Sequence, residues 1–333
     1  MSRLRNLLAL TRNETLKVLR KRRFFVVVLI LLCLIPLFTY GQYTSEQRLL
    51  AKVGTTDWKA QLQTQITETE HRMQSSYLPD EQKKILALQV EQNKYYLDRG
   101  INPKSTGATT FTRFFMQYGV SLFLPLLVIV VATDIVSSEH SEGTIKLLLT
   151  RPVKRWKILL SKYLTLLIYT TLTVVITGVA CYLISGLFFG YQGWDAPMFT
   201  GFQIANGTFD ASHVQVIPHW RLLLMNYGLG WISVIVVATL SFMVSVLVRS
   251  TAAGMGVMLA ILIGGNILVQ LAADFPLAKY LFTSHLRLTD YVNGTPLPIP
   301  DVTLGFSLAI LTLWTFGGLL VSFLTFTRRD VLA

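Results

Sequence analysis

Six long runs of apolar residues dominate the chain, and shorter polar stretches separate them. A helix that rises about 1.5 Å per residue needs roughly 20 residues to cross the hydrocarbon of a bilayer, and backbone groups in lipid must pair within the segment. The runs therefore predict an all-α polytopic membrane protein with six transmembrane helices. Their bounds are 24–40, 113–136, 158–189, 222–248, 251–273 and 302–326.

The composition indicates lipid surroundings. Hydrophobic residues make up 52% of the 333 residues and charged residues 14%, whereas roughly a quarter of an average soluble protein is charged. The net charge of +12 would suit nucleic acid, but the basic residues cluster at the ends of the apolar runs instead of covering a polar surface. We therefore expect membrane lipid as a partner and no nucleic acid. Cys33 and Cys181 both lie in apolar runs, so no disulfide or thiolate metal site is predicted.

Basic residues near the spans predict the orientation. The segment before the first run carries eight basic residues against the single acid Glu14, and the segments after the second, fourth and sixth runs are also basic. The positive-inside rule places such segments in the cytoplasm. One alternating topology satisfies all of them, so we expect both termini to be cytoplasmic, including the tail 327–333.

Residues 1–23 have the spacing of an amphipathic helix. Apolar and small residues recur on one arc at about 100° per residue, and the basic residues fall off that arc. We expect this helix to lie on the anionic inner leaflet, with a disordered basic tail as the alternative. The arc is formed by Leu4, Leu7, Leu8, Thr11, Thr15, Val18 and Leu19.

Three external segments follow from this topology. The first, 41–112, is Gln-rich and predicts a helical hairpin of about 44–75 and 80–99, since Pro79 and Asp80 mark a helix start and Gly100 a helix end. Disorder is the alternative. The second, 190–221, is predicted to be an extracellular loop. The third, 274–301, is apolar enough to be an extracellular or re-entrant segment with a short helix.

A dense charged patch lies in the cytoplasmic loop 137–157. Ile145, Leu148 and Leu149 share one helical face, and Pro152 stops that helix. Basic residues up to Lys162 are expected at the membrane surface. Such a short helix with an exposed apolar face suits docking to a cytosolic partner. The alternative is a positive-inside anchor without a partner.

The text E-x-x-E-G-T-x-x-x-L-L-x-x-P-V-x-R-x-x-x-L-x-x-K resembles the ABC-2-type transporter permease family, the membrane subunits of bacterial ABC exporters. The resemblance covers nearly the whole chain, up to the closing Phe326-Thr327-Arg328-Arg329-Asp330, and the chain departs from the simplest members in its external insertion 41–112. The matched residues are Glu139, Glu142, Gly143, Thr144, Leu148, Leu149, Pro152, Val153, Arg155, Leu159 and Lys162.

The resemblance implies that this loop is a coupling helix seated on an ATPase. It assigns ATPase coupling to Glu139, Glu142, Gly143, Thr144, Ile145, Leu148, Leu149, Pro152 and Arg155. It also implies a second permease copy or paralogue and two copies of a cytosolic ABC ATPase subunit. No G-x-x-x-x-G-K-[ST] phosphate loop occurs in the sequence, so we expect ATP and Mg on that ATPase and no cofactor on this chain.

Small residues recur every fourth position in the fifth run and predict close helix packing, either within the chain, which we favour, or in a dimer. They are Ala252, Gly256, Ala260 and Gly264. In the same helix, the amides of Asn266 and Gln270 are candidates for a substrate path, although such amides more often hydrogen-bond to a neighbouring helix. Asp134, at the inner end of the second run, is expected to pair with a basic residue or with the loop.

No catalytic motif or metal-ligand pattern is present in the sequence, and no charge lies mid-span. The sequence thus favours the permease subunit of an exporter, with an amphiphilic substrate such as an antimicrobial peptide, drug or lipid-like molecule. The alternative is a membrane sensor or scaffold whose hairpin signals to a cytosolic partner without transport.

Overall fold

The computed structural model describes most of the chain. The described residues are 2–54, 57–75, 77–78, 80–103, 107–144, 153–205, 208–210, 212–271, 277–295, 297, 299 and 302–328. Ile145, Leu148, Leu149 and Pro152 of the predicted coupling helix lie outside them.

Six of the described helices are long and apolar enough to cross a membrane. The spans are Arg22–Arg48, Phe123–Ser141, Arg155–Phe189, His219–Leu247, Thr251–Val269 and Leu304–Arg328. Many of their outward side chains are large and apolar, for example Leu29, Leu183 and Phe316, as a lipid-facing surface requires. The predicted fold class is confirmed at this level: the chain is a largely helical, multi-pass membrane protein.

The helices are numbered here in chain order. They are α1 Ser2–Arg20, α2 Arg22–Val53, α3 Trp58–Met73, α4 Asp80–Asp98, α5 Ala108–Gly119, α6 Phe123–Ala132, α7 Asp134–Ser141, α8 Arg155–Phe189, α9 His219–Leu247, α10 Thr251–Leu271, α11 Thr289–Asn293 and α12 Leu304–Arg328. The strands are β1 Pro197–Thr200, β2 Gln203–Ala205, β3 Thr208–Asp210 and β4 Gln215–Pro218.

The first span continues well beyond its predicted end at residue 40. Helix α2 runs to Val53, and Gly54, at a left-handed φ of 69°, ends it by donating its N–H to the carbonyl of Leu50. Asp57 then caps α3 by accepting a hydrogen bond from the backbone N–H of Lys59. The prediction of one continuous helix over 44–75 is therefore wrong, because a glycine C-cap and an aspartate N-cap divide it.

Helices α3 and α4 pack together and against a small β structure that the sequence did not predict. Leu62 and Ile66 of α3 share an apolar cluster with Tyr96 of α4 and with Phe199 and Phe202. In the segment 190–221, β1 pairs antiparallel with β4 and β2 with β3. The segment is thus a folded platform beneath the hairpin instead of an open loop.

The second span is broken into α5, α6 and α7 instead of the predicted single helix 113–136. Pro125 lies in the first turn of α6 and has no N–H to donate to the carbonyl of Ser121. A second break falls at Thr133, whose carbonyl accepts a hydrogen bond from Ser245 Oγ of α9 at 2.7 Å. The same Oγ accepts hydrogen bonds from the N–H groups of Val136 and Ser137, so α9 caps the start of α7.

Helix α9 and the helices α6 and α7 form the centre of the bundle. In these two spans, about three quarters of the residues in the most apolar stretch are buried within the protein. In the other four spans the buried share is a third or less. Val234, Ala238 and Phe242 of α9 pack with Leu124 and Val128 of α6. Between α10 and α12, the segment predicted as extracellular or re-entrant contains two short 3-10 turns and α11.

Candidate functional site: the connecting loop and its charge cluster

The loop between α7 and α8 leaves the bundle at Ser141. Glu142 and Gly143 are exposed, and Gly143 adopts a left-handed φ of 69°. Thr144 Oγ1 donates back to the carbonyl of Glu139 at 3.5 Å, which ties the first residues of the loop to α7. On the other side of the loop, Arg155 Nη1 donates to the carbonyl of Thr327 at 3.4 Å.

Glu139, which the resemblance assigns to ATPase coupling, lies inside the protein instead of exposed on the loop. Its side chain is buried, with 2% of the residue exposed, and its Oε1 accepts from Lys162 Nζ at 2.7 Å and from Lys17 Nζ at 2.8 Å. Lys162, predicted at the membrane surface, is 1% exposed and also pairs with Glu14 Oε2 at 2.8 Å. The surface position predicted for Lys162 is wrong because α1 folds over the ends of α7 and α8 and removes these charges from solvent. The coupling role of Glu139 stays a prediction.

The junction between α1 and α2 adds a second set of ion pairs. Asp134 Oδ2 accepts from Lys21 Nζ at 2.7 Å, and Asp134 Oδ1 lies 2.6 Å from Arg23 Nη1. The expectation that Asp134 pairs with a basic residue is confirmed. We call the whole set the charge cluster; its members are Glu14, Lys17, Lys21, Arg23, Asp134, Glu139 and Lys162.

The charge cluster holds four helices together. Its three acids and four bases lie on α1, α2, α7 and α8 and, for Lys21, at the α1–α2 junction. Burial alone would lower the pKa of Lys17, but its hydrogen bond to Glu139 and the charge of that carboxylate outweigh this effect and raise the pKa. The ion pairs of Lys17 and Lys162 therefore tie α1 to the loop-side ends of α7 and α8.

The small-residue stripe of the fifth span does not pack against the described part of the chain. Ala252, Gly256, Ala260 and Gly264 are all exposed, and a Cβ added at Gly256 or Gly264 would have no described atom within 4 Å. The favoured prediction of a seam within the chain is wrong for the described residues. The buried face of α10 is the opposite one, with residues such as Met258 and Leu262, because larger apolar side chains gain more from burial.

Asn266 of α10 satisfies a backbone group of the broken second span. Its Nδ2 donates to the carbonyl of Ser121 at 3.4 Å, which is the carbonyl that Pro125 leaves without its helical donor. The same Nδ2 also donates to the carbonyl of Leu262 at 2.8 Å. These contacts favour a role for Asn266 in hydrogen bonding between helices over a role in a substrate path. The side chain of Gln270 lies outside the described part of the chain.

A second concave site lies at the other end of the bundle. A cavity of about 840 Å³ opens between α3, α4 and the start of α5, and it includes the C-terminal part of α2. We call it the hairpin cavity. Its described lining is rich in glutamine and asparagine and includes Arg113. The sequence analysis did not identify this site, although an arginine at the very start of an apolar run was a visible signal.

Comparison with known proteins shows the family. The chain is 31% identical over 327 residues to the "Uncharacterized protein YhcI" of Bacillus subtilis (strain 168), with 98% of this chain and 99% of that protein covered. It is 28% identical over 218 residues to the "Uncharacterized membrane protein YdbK" of the same organism, covering 64% and 79% of the two chains. A family model described as "Protein of unknown function (DUF2705)" matches residues 82–332, so the chain belongs to this family.

Proposed function

We propose that this chain is the permease subunit of an ATP-driven ABC exporter in a bacterial plasma membrane, and that its loop 137–157 couples it to a separate cytosolic ATPase. The observation that carries the proposal is the position of the loop. The residues that resemble the coupling motif lie between two spans whose ends are locked to α1 by the buried ion pairs of the charge cluster. A force on a loop without such contacts would only bend the loop. Here the ion pairs would pass the force to α1, α7 and α8 together.

The proposed mechanism follows from these connections. The ATPase closes on ATP and displaces the loop, and the displacement passes to α7 and α8. Helix α7 is hydrogen-bonded to α9 through Ser245, so the central helix moves with it. The hairpin of α3 and α4 is external in this proposal, both termini are cytoplasmic, and the substrate is an amphiphile such as an antimicrobial peptide, a drug or a lipid-like molecule.

The exposed stripe on α10 supports a dimer of permeases. Small residues at every fourth position let another helix approach closely, and no described part of this chain covers Gly256 or Gly264. We propose that a second permease copy or a paralogue packs on this face.

A pull-down tests the coupling proposal. The detergent-solubilised chain is recovered from its native host as wild type and as Glu142→Arg, a charge reversal at an exposed loop position. Glu68→Arg, an equally exposed reversal on α3, is the matched control. We expect an ATPase with a phosphate-loop motif to be recovered with wild type and Glu68→Arg but at least tenfold less with Glu142→Arg. Equal recovery with all three, or no ATPase with any, would contradict the proposal.

The hairpin cavity favours a second candidate function, a membrane sensor or scaffold. In this case, ligand occupancy of the cavity would change the loop without transport. Reconstitution of the chain with any recovered ATPase distinguishes the two: ATP-dependent movement of substrate across the bilayer supports the exporter, and ligand-dependent ATPase binding without transport supports the sensor.

A further inference from the structure

Arg113 is a buried charge without a counter-charge. It lies on α5 with 6% of the residue exposed, and no described Asp or Glu forms an ion pair with it. Its Nη1 donates to Asn293 Oδ1 at 2.9 Å, and its guanidinium lies 4.4 Å from the ring centroid of Phe114. Its Nε is buried and has no hydrogen-bond partner among the described residues. Burial of an arginine normally requires pairing of its charge and its donors.

The orientation of Arg113 is fixed by a built framework. Asn293 Nδ2 donates to Asn226 Oδ1 at 2.6 Å and to the carbonyl of Thr289 at 2.8 Å. These two bonds hold the amide so that its oxygen faces Arg113. The guanidinium is therefore held in place by neutral groups, and the framework leaves its Nε donor unused.

Gln117 provides a second unused polar atom one turn further along α5. Its Nε2 donates to Thr295 Oγ1 at 2.9 Å and to Asp290 Oδ1 at 3.4 Å, while its buried Oε1 accepts no hydrogen bond from the described residues. Residues four apart share one face of a helix, and both side chains line the hairpin cavity. The cavity wall thus contains a cation without a described counter-charge beside an amide with an unused acceptor.

The remaining walls suit a molecule with a polar body. The volume of about 840 Å³ is within the range of about 300 to 1,000 Å³ that is usual for ligand sites. Amides of α3 and α4, such as Gln65 and Gln92, offer donors and acceptors, and Trp58 and Tyr96 offer ring faces. Among the described lining residues, Arg113 is the one base and Glu46 the one acid.

We propose that the hairpin cavity binds a molecule bearing an oxyanion, a phosphate or a carboxylate, whose charge faces the guanidinium of Arg113. This ligand supplies the negative charge that no described Asp or Glu provides for Arg113. The inference is independent of the proposed ATPase coupling, because it concerns the opposite end of the bundle and involves no member of the charge cluster.

Thermal unfolding of the full chain in a non-ionic detergent tests the inference. One arm titrates inorganic phosphate or acetate against chloride at matched ionic strength. The other adds phosphatidylglycerol or phosphatidylcholine to the micelles. We expect a saturable rise in Tm with at least one of the anionic probes. We also expect Arg113→Gln to weaken the apparent affinity at least tenfold, because charge-assisted hydrogen bonds are the strong ones. Arg99→Gln, at an exposed position of the same hairpin region outside the cavity lining, should bind as wild type does.

The outcomes separate the ligand sources and the competing explanation. A response to phosphatidylglycerol alone identifies a lipid headgroup, and a response to phosphate or acetate identifies a soluble anion. A purely structural Arg113 predicts that Arg113→Gln has a lower Tm without any probe and an unchanged response to the anions. This result, or the absence of any anion response in the wild type, would overturn the inference. If Arg113→Gln does not fold, Arg113→Lys takes its place, because lysine keeps the charge and loses the planar guanidinium. An affinity equal to wild type would then refute recognition by the guanidinium.

Discussion

Replacing Lys162 by methionine should destabilise the fold more than any loss of a surface ion pair. Methionine keeps most of the volume and removes the charge. Lys162 Nζ lies 2.7 Å from Glu139 Oε1 and 2.8 Å from Glu14 Oε2, and its side chain is 1% exposed. After the substitution Glu139 still has Lys17 at 2.8 Å, whereas the buried Glu14 loses the ion-pair partner that the structure shows for it.

The expected loss follows from this asymmetry. Removing one partner of a buried ion pair costs about 3 to 5 kcal/mol, and the remaining Lys17 contact places Lys162→Met near the lower limit. Glu14→Gln leaves Lys162 paired with Glu139 and should cost about 1 kcal/mol. In the double variant the orphaned carboxylate is gone, so the two losses should not add, and we expect a coupling energy of about 2 kcal/mol.

The measurement is the free energy of unfolding in mixed micelles, followed by circular dichroism. Lys94→Met is the matched control, because Lys94 Nζ lies 2.8 Å from Glu70 Oε1 with side chains 53% and 45% exposed. Exposed pairs contribute about 0 to 1 kcal/mol. If Lys162→Met costs no more than Lys94→Met, or if the double-variant losses are additive, the charge cluster is not what holds α1 to α7 and α8.

Three further predictions use other parts of the structure. Burial raises the pKa of Asp290 to about 6 even though Arg287 pairs with it, so the folded state binds more protons than the unfolded state between about pH 4 and pH 6. The unfolding free energy should therefore fall by about 3 kcal/mol as pH rises through this window, and Asp290→Asn should remove that dependence. Asn266→Leu should cost about 1 to 3 kcal/mol in unfolding free energy, because the carbonyl of Ser121 loses its donor. Gly264→Val should leave the unfolding free energy within about 0.5 kcal/mol and reduce dimer formation in crosslinking, whereas Gly265→Val, whose Cβ would lie 2.5 Å from Thr283 Cγ2, should destabilise the chain by about 1 to 3 kcal/mol.

Each of these has a result that contradicts it. A pH profile of Asp290→Asn that parallels the wild type would show that another group titrates. Loss of transport by Asn266→Leu with unchanged unfolding would return that residue to the substrate path. Equal destabilisation by Gly264→Val and Gly265→Val would mean that the stripe packs within the chain after all.

The spans were predictable because lipid imposes one strong requirement, a run of about 20 apolar residues. The ends of the helices were not predictable from the apolar runs. For example, α2 continues as a helix through polar residues beyond its apolar run and ends only at Gly54. The breaks in the second span depend on Pro125 and on Ser245, which is more than a hundred residues away. The strands beneath the hairpin are only three or four residues long and carry too little periodicity to be distinguished from loop.

The charge cluster escaped prediction for a different reason. Counting basic residues near spans treats every lysine as a surface anchor, and only tertiary packing brings residues 14, 139 and 162 together. One local signal was present: Glu14 lies between Thr11 and Val18 on the arc of α1 that was predicted to be apolar, and all three are buried. An acid on the buried face of an otherwise basic helix indicates a partner base elsewhere in the chain.

The two sites lie at opposite ends of the segment formed by α5, α6 and α7. Arg113 and Glu139 are separated by 26 residues of α5, α6 and α7, which corresponds to roughly 40 Å along a helical path. The break near Ser121 is held by Asn266 of α10 and the break at Thr133 by Ser245 of α9. Because both freed carbonyls are bonded to neighbouring helices, these breaks are fixed joints and not free hinges. A ligand in the hairpin cavity and a partner on the loop would therefore act on the same rigid assembly, and each would alter the other's affinity to the extent that it prefers one position of that assembly.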